Sequence, residues 1–156
     1  LFAGGGQGED PVPLPLHDLV GELAARYDGR PLELDLEPVD ACVRPVAMGR
    51  ALANLIDNAL SYGQPPVLIR LRPEGPGLRL TVLDRGAGIP QDQRDQALLP
   101  FQRLDASRGG SGHCGLGLAI AARVAELHGG RLELLDLEEG FAVCLVLPAA
   151  GALPAG

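Results

Sequence analysis

The chain has 156 residues, of which 46% are hydrophobic, 3% aromatic and none Trp, and it carries a formal net charge of −7. That length supports one domain with an aliphatic core, and the acidic balance excludes a nucleic-acid surface, which needs clustered Lys and Arg. Cys42, Cys114 and Cys144 form no C-x-x-C pair and fit a reducing, cytoplasmic setting, and no apolar run approaches the roughly 20 residues that span a bilayer, so no direct membrane contact by this domain is expected.

Residues 1–15, with Gly4-Gly5-Gly6 and Pro11, Pro13 and Pro15, read as a flexible linker, because they propagate no helix and carry little to bury. Leu16, Leu19, Val20 and Leu23 recur at helical spacing and predict a helix over 16–27, stopped by Asp28-Gly29. The alternation Leu32-Glu33-Leu34-Asp35-Leu36-Glu37 predicts a strand with one wet, acidic face. Met48, Leu52, Leu55, Ile56 and Ala59 share one stripe at about 100° per residue, which places a helix over 46–62, ended by Gly63. Strands over 67–72 and 78–84 read as a hairpin across Pro73, Gly75, Pro76 and Gly77.

A short helix over 91–99 follows, after which 108–117 is too rich in glycine to hold a fixed element. Leu116, Ile120, Val124 and Leu127 predict a helix ending at Gly129-Gly130, and strands near 131–136 and 141–147 close the domain around Glu138-Glu139-Gly140. Residues 149–156 read as a disordered tail. Helices set against a mixed, largely antiparallel sheet make residues 16–148 a two-layer α/β sandwich, with helices on one sheet face and water on the other.

Three segments carry chemistry. Asn54, Asn58 and Tyr62 stand four apart on one flank of the 46–62 helix, beside its apolar stripe. A carboxamide offers a neutral oxygen to Mg²⁺ and an NH₂ to phosphate, although an isolated pair of flank asparagines is ordinarily just solvated. In Asp84-Arg85-Gly86-Ala87-Gly88-Ile89-Pro90, alternation from Leu78, Leu80 and Val82 puts Asp84 on the interior face. A carboxylate there requires a donor, which the exocyclic amine of adenine would supply, and Gly86 and Gly88 permit close backbone approach. Gly109 to Gly117 runs into a helix start, where free N–H groups and the helix dipole favour an anion. It is neither a Lys-bearing phosphate loop nor a dinucleotide fingerprint.

Taken together and in order, these segments closely resemble the boxes of sensor-histidine-kinase ATP-binding domains of the GHKL superfamily. Asn54-Leu55-Ile56-Asp57-Asn58-Ala59 matches the N box, Asp84-Arg85-Gly86-Ala87-Gly88 the first glycine box, and Gly115-Leu116-Gly117-Leu118-Ala119-Ile120 the second. Pro100-Phe101-Gln102-Arg103 resembles the F box, and His128-Gly129-Gly130 also fits. The resemblance spans roughly residues 16–148 and implies a Bergerat-type fold that binds ATP and Mg²⁺. It implies that Asn58 ligates Mg²⁺, that Asn54 contacts phosphate or its water shell, that Tyr62 lies near the triphosphate, and that Asp84 binds the adenine amine. Gly86, Gly88 and Ile89 would shape the base pocket, Phe101 would anchor the lid, and Gly115, Leu116 and Gly117 would bring the lid to the phosphates. Arg103 or Arg108 would neutralise charge during transfer.

Hydrolytic relatives such as gyrase carry Glu at the first N-box position, where this chain has Asn54; Asp57 points away from the core stripe and cannot replace it. Phosphoryl transfer to a protein is therefore expected over hydrolysis. His113 and Cys114 depart from the family's lid pattern. Leu16-His17-Asp18-Leu19 starts like the phosphoacceptor box but lacks the following Arg and Pro, so the accepting histidine is expected on a dimerisation segment outside this chain. The resemblance further implies a response regulator downstream and a homodimeric parent anchored at the inner membrane. Two alternatives are a nucleotide-sensing module without phosphotransfer and a gyrase-like ATPase.

Overall fold

The structure, a computed structural model, describes residues 9–97 and 113–148. Its centre is a five-stranded sheet in the order β2 (Leu32–Leu36), β4 (Val67–Glu74), β5 (Gly77–Asp84), β7 (Gly140–Leu147), β6 (Arg131–Leu137). Only β2 and β4 run parallel, because β3 (Asp40–Val43) and α2 (Pro45–Tyr62) lie between them in the chain; the other neighbours are antiparallel. The helices α1 (Leu16–Ala24), α2 and α4 (His113–Leu127) pack on one face, completing the expected mixed two-layer sandwich. Among the described residues no helix is long and apolar enough to cross a membrane.

Alternation fills the interface. Ile69, Leu71, Leu80, Val82 and Leu145 point inward against Met48, Leu52, Leu55 and Ile56 of α2 and Leu118 and Val124 of α4, all buried. Each fully buried aliphatic side chain contributes about 1.5–3 kcal/mol, so this layer dominates stability. Pro45, at the first position of α2, loses no hydrogen bond there, since that N–H has no intrahelical partner.

The opposite face is less wet than the acidic alternation suggests. Leu83, Ala142, Cys144 and Val146 form a second buried cluster on β5 and β7. Charge pairs flank it: Arg70 and Arg72 with Asp35, Arg72 with Glu37, and Arg79 with Glu74 and Glu133. The Arg72 hydrogen bond holds the Asp35 carboxyl below its ordinary range. On the edge strand β2, Leu34 faces the helix layer yet stays 47% exposed.

The segment read as linker differs most. Val12–Pro15 is a strand, β1, paired antiparallel with β3 from Val12 opposite Val43 to Pro15 opposite Asp40. Prolines are tolerated because a two-stranded ribbon leaves its outer edge unpaired. Glu9 accepts hydrogen bonds from Val46 N–H at 2.7 Å and Ala47 N–H at 3.1 Å, supplying the N-terminal cap that α2 lacks in its own sequence. The rest of that linker, residues 1–8, and the tail 149–156 lie outside the described residues.

Two further boundaries move. The 16–27 helix is α1 followed by a 3₁₀ turn over Ala25–Tyr27, and the short 91–99 helix is a 3₁₀ turn over Gln91–Gln93 leading into α3 (Arg94–Ala97), with 98–99 outside the description. Of the stretch expected to hold no fixed element, 113–117 forms the start of α4 and 108–112 lies outside the description. Two glycines there cost about 1 kcal/mol each relative to Ala, which burial of Leu118, Ala121, Val124 and Ala125 along the same helix offsets.

At the far end of α4, His128 is fully buried and ties that end to the start of α2. Its Nε2 accepts the Arg44 N–H at 2.9 Å while Nδ1 donates to the Val124 carbonyl at 2.7 Å, an arrangement only the neutral ring can make. The Arg44 guanidinium adds bonds to the Leu127 and Glu9 carbonyls. Burial, and secondarily Arg44, holds the imidazole below its usual 6.5, with the Val124 bond opposing. The unfolded chain therefore takes up a proton at this residue as pH falls through about 6.5, before the folded chain does, so the contribution to stability is full above 6.5 and is lost below it. Urea unfolding at pH 7.5 and pH 5 is expected to show the loss in the parent and a smaller loss in His128→Gln. An equal loss in both would show that other groups set the pH dependence.

Candidate functional site

Between α2, the end of β5 and β7 lies a cavity of about 290 Å³. Its walls are apolar, from Leu55, Ala59, Val82, Ile89, Leu118, Phe141 and Val143, and its polar groups are few: Asn58, Tyr62, Asp84 and Gln93. Such a lining binds a flat apolar body and fixes its orientation through a small number of hydrogen bonds.

Asp84 ends β5 on the inner face, where alternation put it, and is 5% exposed. Part of its need for donors is met within the chain: Oδ1 accepts the Gly86 N–H at 2.6 Å and the Gln64 N–H at 3.4 Å. Among the described residues no donor reaches Oδ2, which leaves that oxygen for a ligand. The backbone is fitted to this carboxylate. Any side chain at Gly63 would collide with the Asp84 carboxyl carbon, and a Cβ on Gly86 would stand 2.9 Å from Oδ1.

Gly88 has φ +74°, in the left-handed region, and a Cβ there would overlap the Phe141 ring. This lets the Gly88 backbone closely approach the ring of Phe141, which register places opposite Asp84. Ile89 lines the cavity, whereas Gly86 acts behind it, through Asp84.

The asparagine pair behaves unlike solvated flank residues. The Nδ2 atoms of Asn54 and Asn58 are buried and have no hydrogen-bond partner among the described residues. Each such donor carries a penalty of about 1–3 kcal/mol until an acceptor arrives. Asn58 lines the cavity; Asn54 stands one turn earlier, outside its lining, and Tyr62 one turn later, 39% exposed on the wall. Asp57 is turned away: it accepts the Tyr27 hydroxyl at 2.9 Å, and burial together with that bond pushes the Tyr27 phenol up to about 12.

Gly115, Leu116 and Gly117 lie in the first turns of α4, just ahead of the lining residue Leu118. Phe101, Arg103 and Arg108 lie outside the described residues. Sequence reasoning missed Gly63, Gln64, Gln93 and Phe141 as parts of the site. Gly63 reads as a helix stop and Phe141 as an ordinary strand residue, and only the β5–β7 register reveals the second.

Residues 44–151 match the family described as histidine kinase-, DNA gyrase B- and HSP90-like ATPases. The chain belongs to this family. Within it, the similarity is to histidine kinases. The signal transduction histidine-protein kinase AfsQ2 of Streptomyces coelicolor is 36% identical over 144 residues, which cover 88% of this chain and 27% of AfsQ2. The mycobacterial sensor histidine kinase MprB superposes with a TM-score of 0.72 at 32% identity, covering 87% of this chain and 97% of that one. The histidine kinase domain of the E. coli osmosensor EnvZ gives 0.71 at 32% identity, covering 97% and 96%. The chain spans about a quarter of the length of the curated relatives it matches. The sandwich is thus the Bergerat-type fold, and the chain is an ATP-binding catalytic domain of the histidine-kinase branch. A hydrolytic clamp and a sensing-only module are not favoured by these relatives.

Proposed function

We propose that this domain binds Mg²⁺-ATP in the Asp84 cavity and transfers the γ-phosphoryl group to a histidine on a dimerisation segment outside this chain. The observation that carries the reading is the pair of buried, unpartnered carboxamide donors on α2 beside a cavity floored by Asp84. Orphan donors fit a ligand rich in acceptors, as a phosphate chain is, and the apolar walls with one free carboxylate oxygen fit an aminopurine. Bound ATP supplies the phosphoryl group and leaves as ADP.

The chain's own residues do the rest. Asp84 accepts the adenine amine, Gly88 and Ile89 form the base pocket with Phe141, and Gly86 shapes it from behind by holding the Asp84 carboxylate. Asn54 would donate toward phosphate, Tyr62 would stand by the triphosphate, and Asn58 would hold Mg²⁺ through its carboxamide oxygen, leaving its NH₂ for a phosphate oxygen. Phe101, Gly115, Leu116 and Gly117 belong to the lid, and Arg103 or Arg108 neutralises charge at the transferring group. Mg²⁺, a hard cation that takes oxygen ligands, would offset the negative charge of the phosphates beside Asn58.

With Asn54 at the first N-box position and Asp57 bonded to Tyr27, neither side chain is set to activate water. An acceptor imidazole nitrogen brings its own lone pair and needs no such base. The wider expectations are a homodimeric, cytoplasm-facing parent anchored at the inner membrane, with a response regulator downstream.

The test mixes the domain with labelled ATP, Mg²⁺ and a histidine-bearing dimerisation segment from one of the similar kinases. Label that appears on that segment and is base-stable but acid-labile marks phosphohistidine. ATP binding without any such label would favour regulation by nucleotide, and no binding at all would remove the site assignment.

A further inference from the structure

We infer that Arg94 is a positioning residue of the base pocket, bracing the Gly88–Pro90 wall and the Phe141 ring from outside the cavity. The inference rests on the reading of that cavity as a nucleotide site. Arg94 opens α3 but does not line the cavity. Its Nε donates to the Ile89 carbonyl at 2.9 Å, its Nη2 donates to Asp136 Oδ1 at 2.8 Å, and its guanidinium carbon lies 5.2 Å from the Phe141 centroid.

These contacts converge on one piece of wall. Ile89 and Phe141 both line the cavity, and Gly88 between them and Asp84 lies against the Phe141 ring without room for a Cβ. Asp136 is the β6 residue paired across the ladder with Phe141, so the guanidinium ties the loop, the ring and the sheet edge at one point. A planar fork that donates in two directions while stacking on an aromatic face is a task for Arg and not for Lys.

An exposed ion pair contributes little. Here the Arg94 side chain is only 15% exposed, and one of its two partners is a backbone carbonyl of the wall itself. The expected consequence is a pocket of the right shape before ligand arrives, which lowers the ordering cost of binding.

The experiment measures dissociation constants of ATP, ADP and adenosine, with melting temperature in parallel, for the parent, Arg94→Ala, Arg94→Lys, Asp136→Ala and the Arg94→Ala/Asp136→Ala double variant. Loss of wall positioning is expected to weaken all three ligands by the same factor, about tenfold for Arg94→Ala, with less than full rescue by Lys. Asp136→Ala, a change on the exposed side, should weaken them about threefold, and the double variant should be no worse than Arg94→Ala, because Asp136 acts through Arg94.

A loss that grows with the number of phosphates would mean that Arg94 attracts charge, and would overturn the inference. So would equal binding by parent and variants, or additive effects of the two substitutions. A parent that binds none of the three ligands overturns the nucleotide reading and this inference with it, whereas failure of the variants alone leaves that reading standing. If Arg94→Ala does not fold, Asp136→Ala still decides.

Discussion

Asp84→Asn is expected to bind ATP about 100-fold more weakly than the parent while remaining folded, and to discriminate far less against inosine triphosphate. The carboxylate has two different oxygens in this structure. Oδ1 accepts the Gly86 and Gln64 N–H groups, so an asparagine will keep its carbonyl oxygen there and turn its NH₂ toward the ligand. An amine facing the adenine amine leaves two donors opposed in a dry pocket. The 6-oxo group of hypoxanthine accepts instead, and so restores the bond.

Asp84→Ala makes a useful contrast. It strands both backbone donors and costs about 1–3 kcal/mol of stability on top of the lost affinity, so it confounds folding with binding where Asp84→Asn does not. Titration of ATP and inosine triphosphate into each protein, with melting temperatures alongside, separates the effects. Unchanged ATP binding by Asp84→Asn would mean that adenine does not meet this residue.

How far the site could be read in advance follows from the range of the forces that build it. The apolar stripe of α2 and the inward turn of Asp84 are set by periodicities of 3.6 and 2, which neighbouring residues display, and both stand where those periods put them. The flank position of Asn54 and Asn58 was visible for the same reason. What could not be seen was that their NH₂ groups would be buried with nothing to bond, since that depends on how α2 packs in the tertiary fold.

Long-range pairings were likewise hidden. Glu9 caps α2 from 37 residues away, and β1 is a proline-bearing strand that exists only because β3 pairs with it. Neither has a local signature. Gly63 shows the same limit: its sequence context announces the end of a helix, while its second role, leaving room for the Asp84 carboxylate, appears only when β5 is laid beside α2. Gly115 and Gly117 argue locally against a helix, and the burial of the α4 face beyond them outweighs that preference.

Asn58→Ala is expected to move stability and function in opposite directions. In the absence of ligand the Nδ2 group is buried without an acceptor among the described residues, and Asn is also a poorer helix former than Ala at this interior position of α2. Relief of the orphan donor is worth about 1 kcal/mol and the propensity change up to about 0.7 kcal/mol, so the ligand-free variant should melt several degrees above the parent. Affinity for Mg²⁺-ATP should fall by at least about 10- to 100-fold, the range for losing the Nδ2 hydrogen bond to a charged phosphate, with loss of the Mg²⁺-binding oxygen acting in the same direction, and the loss for adenosine should be much smaller. A residue that costs the empty protein stability and strengthens only phosphate-bearing ligands is held there by its site rather than by the fold. Differential scanning calorimetry with and without Mg²⁺-ATP reads both effects at once: the variant's transition should begin higher and rise less on adding nucleotide. A ligand-free variant that melts below the parent would show that the Asn58 amide is satisfied within the protein, and an undiminished response to nucleotide would place the phosphates elsewhere.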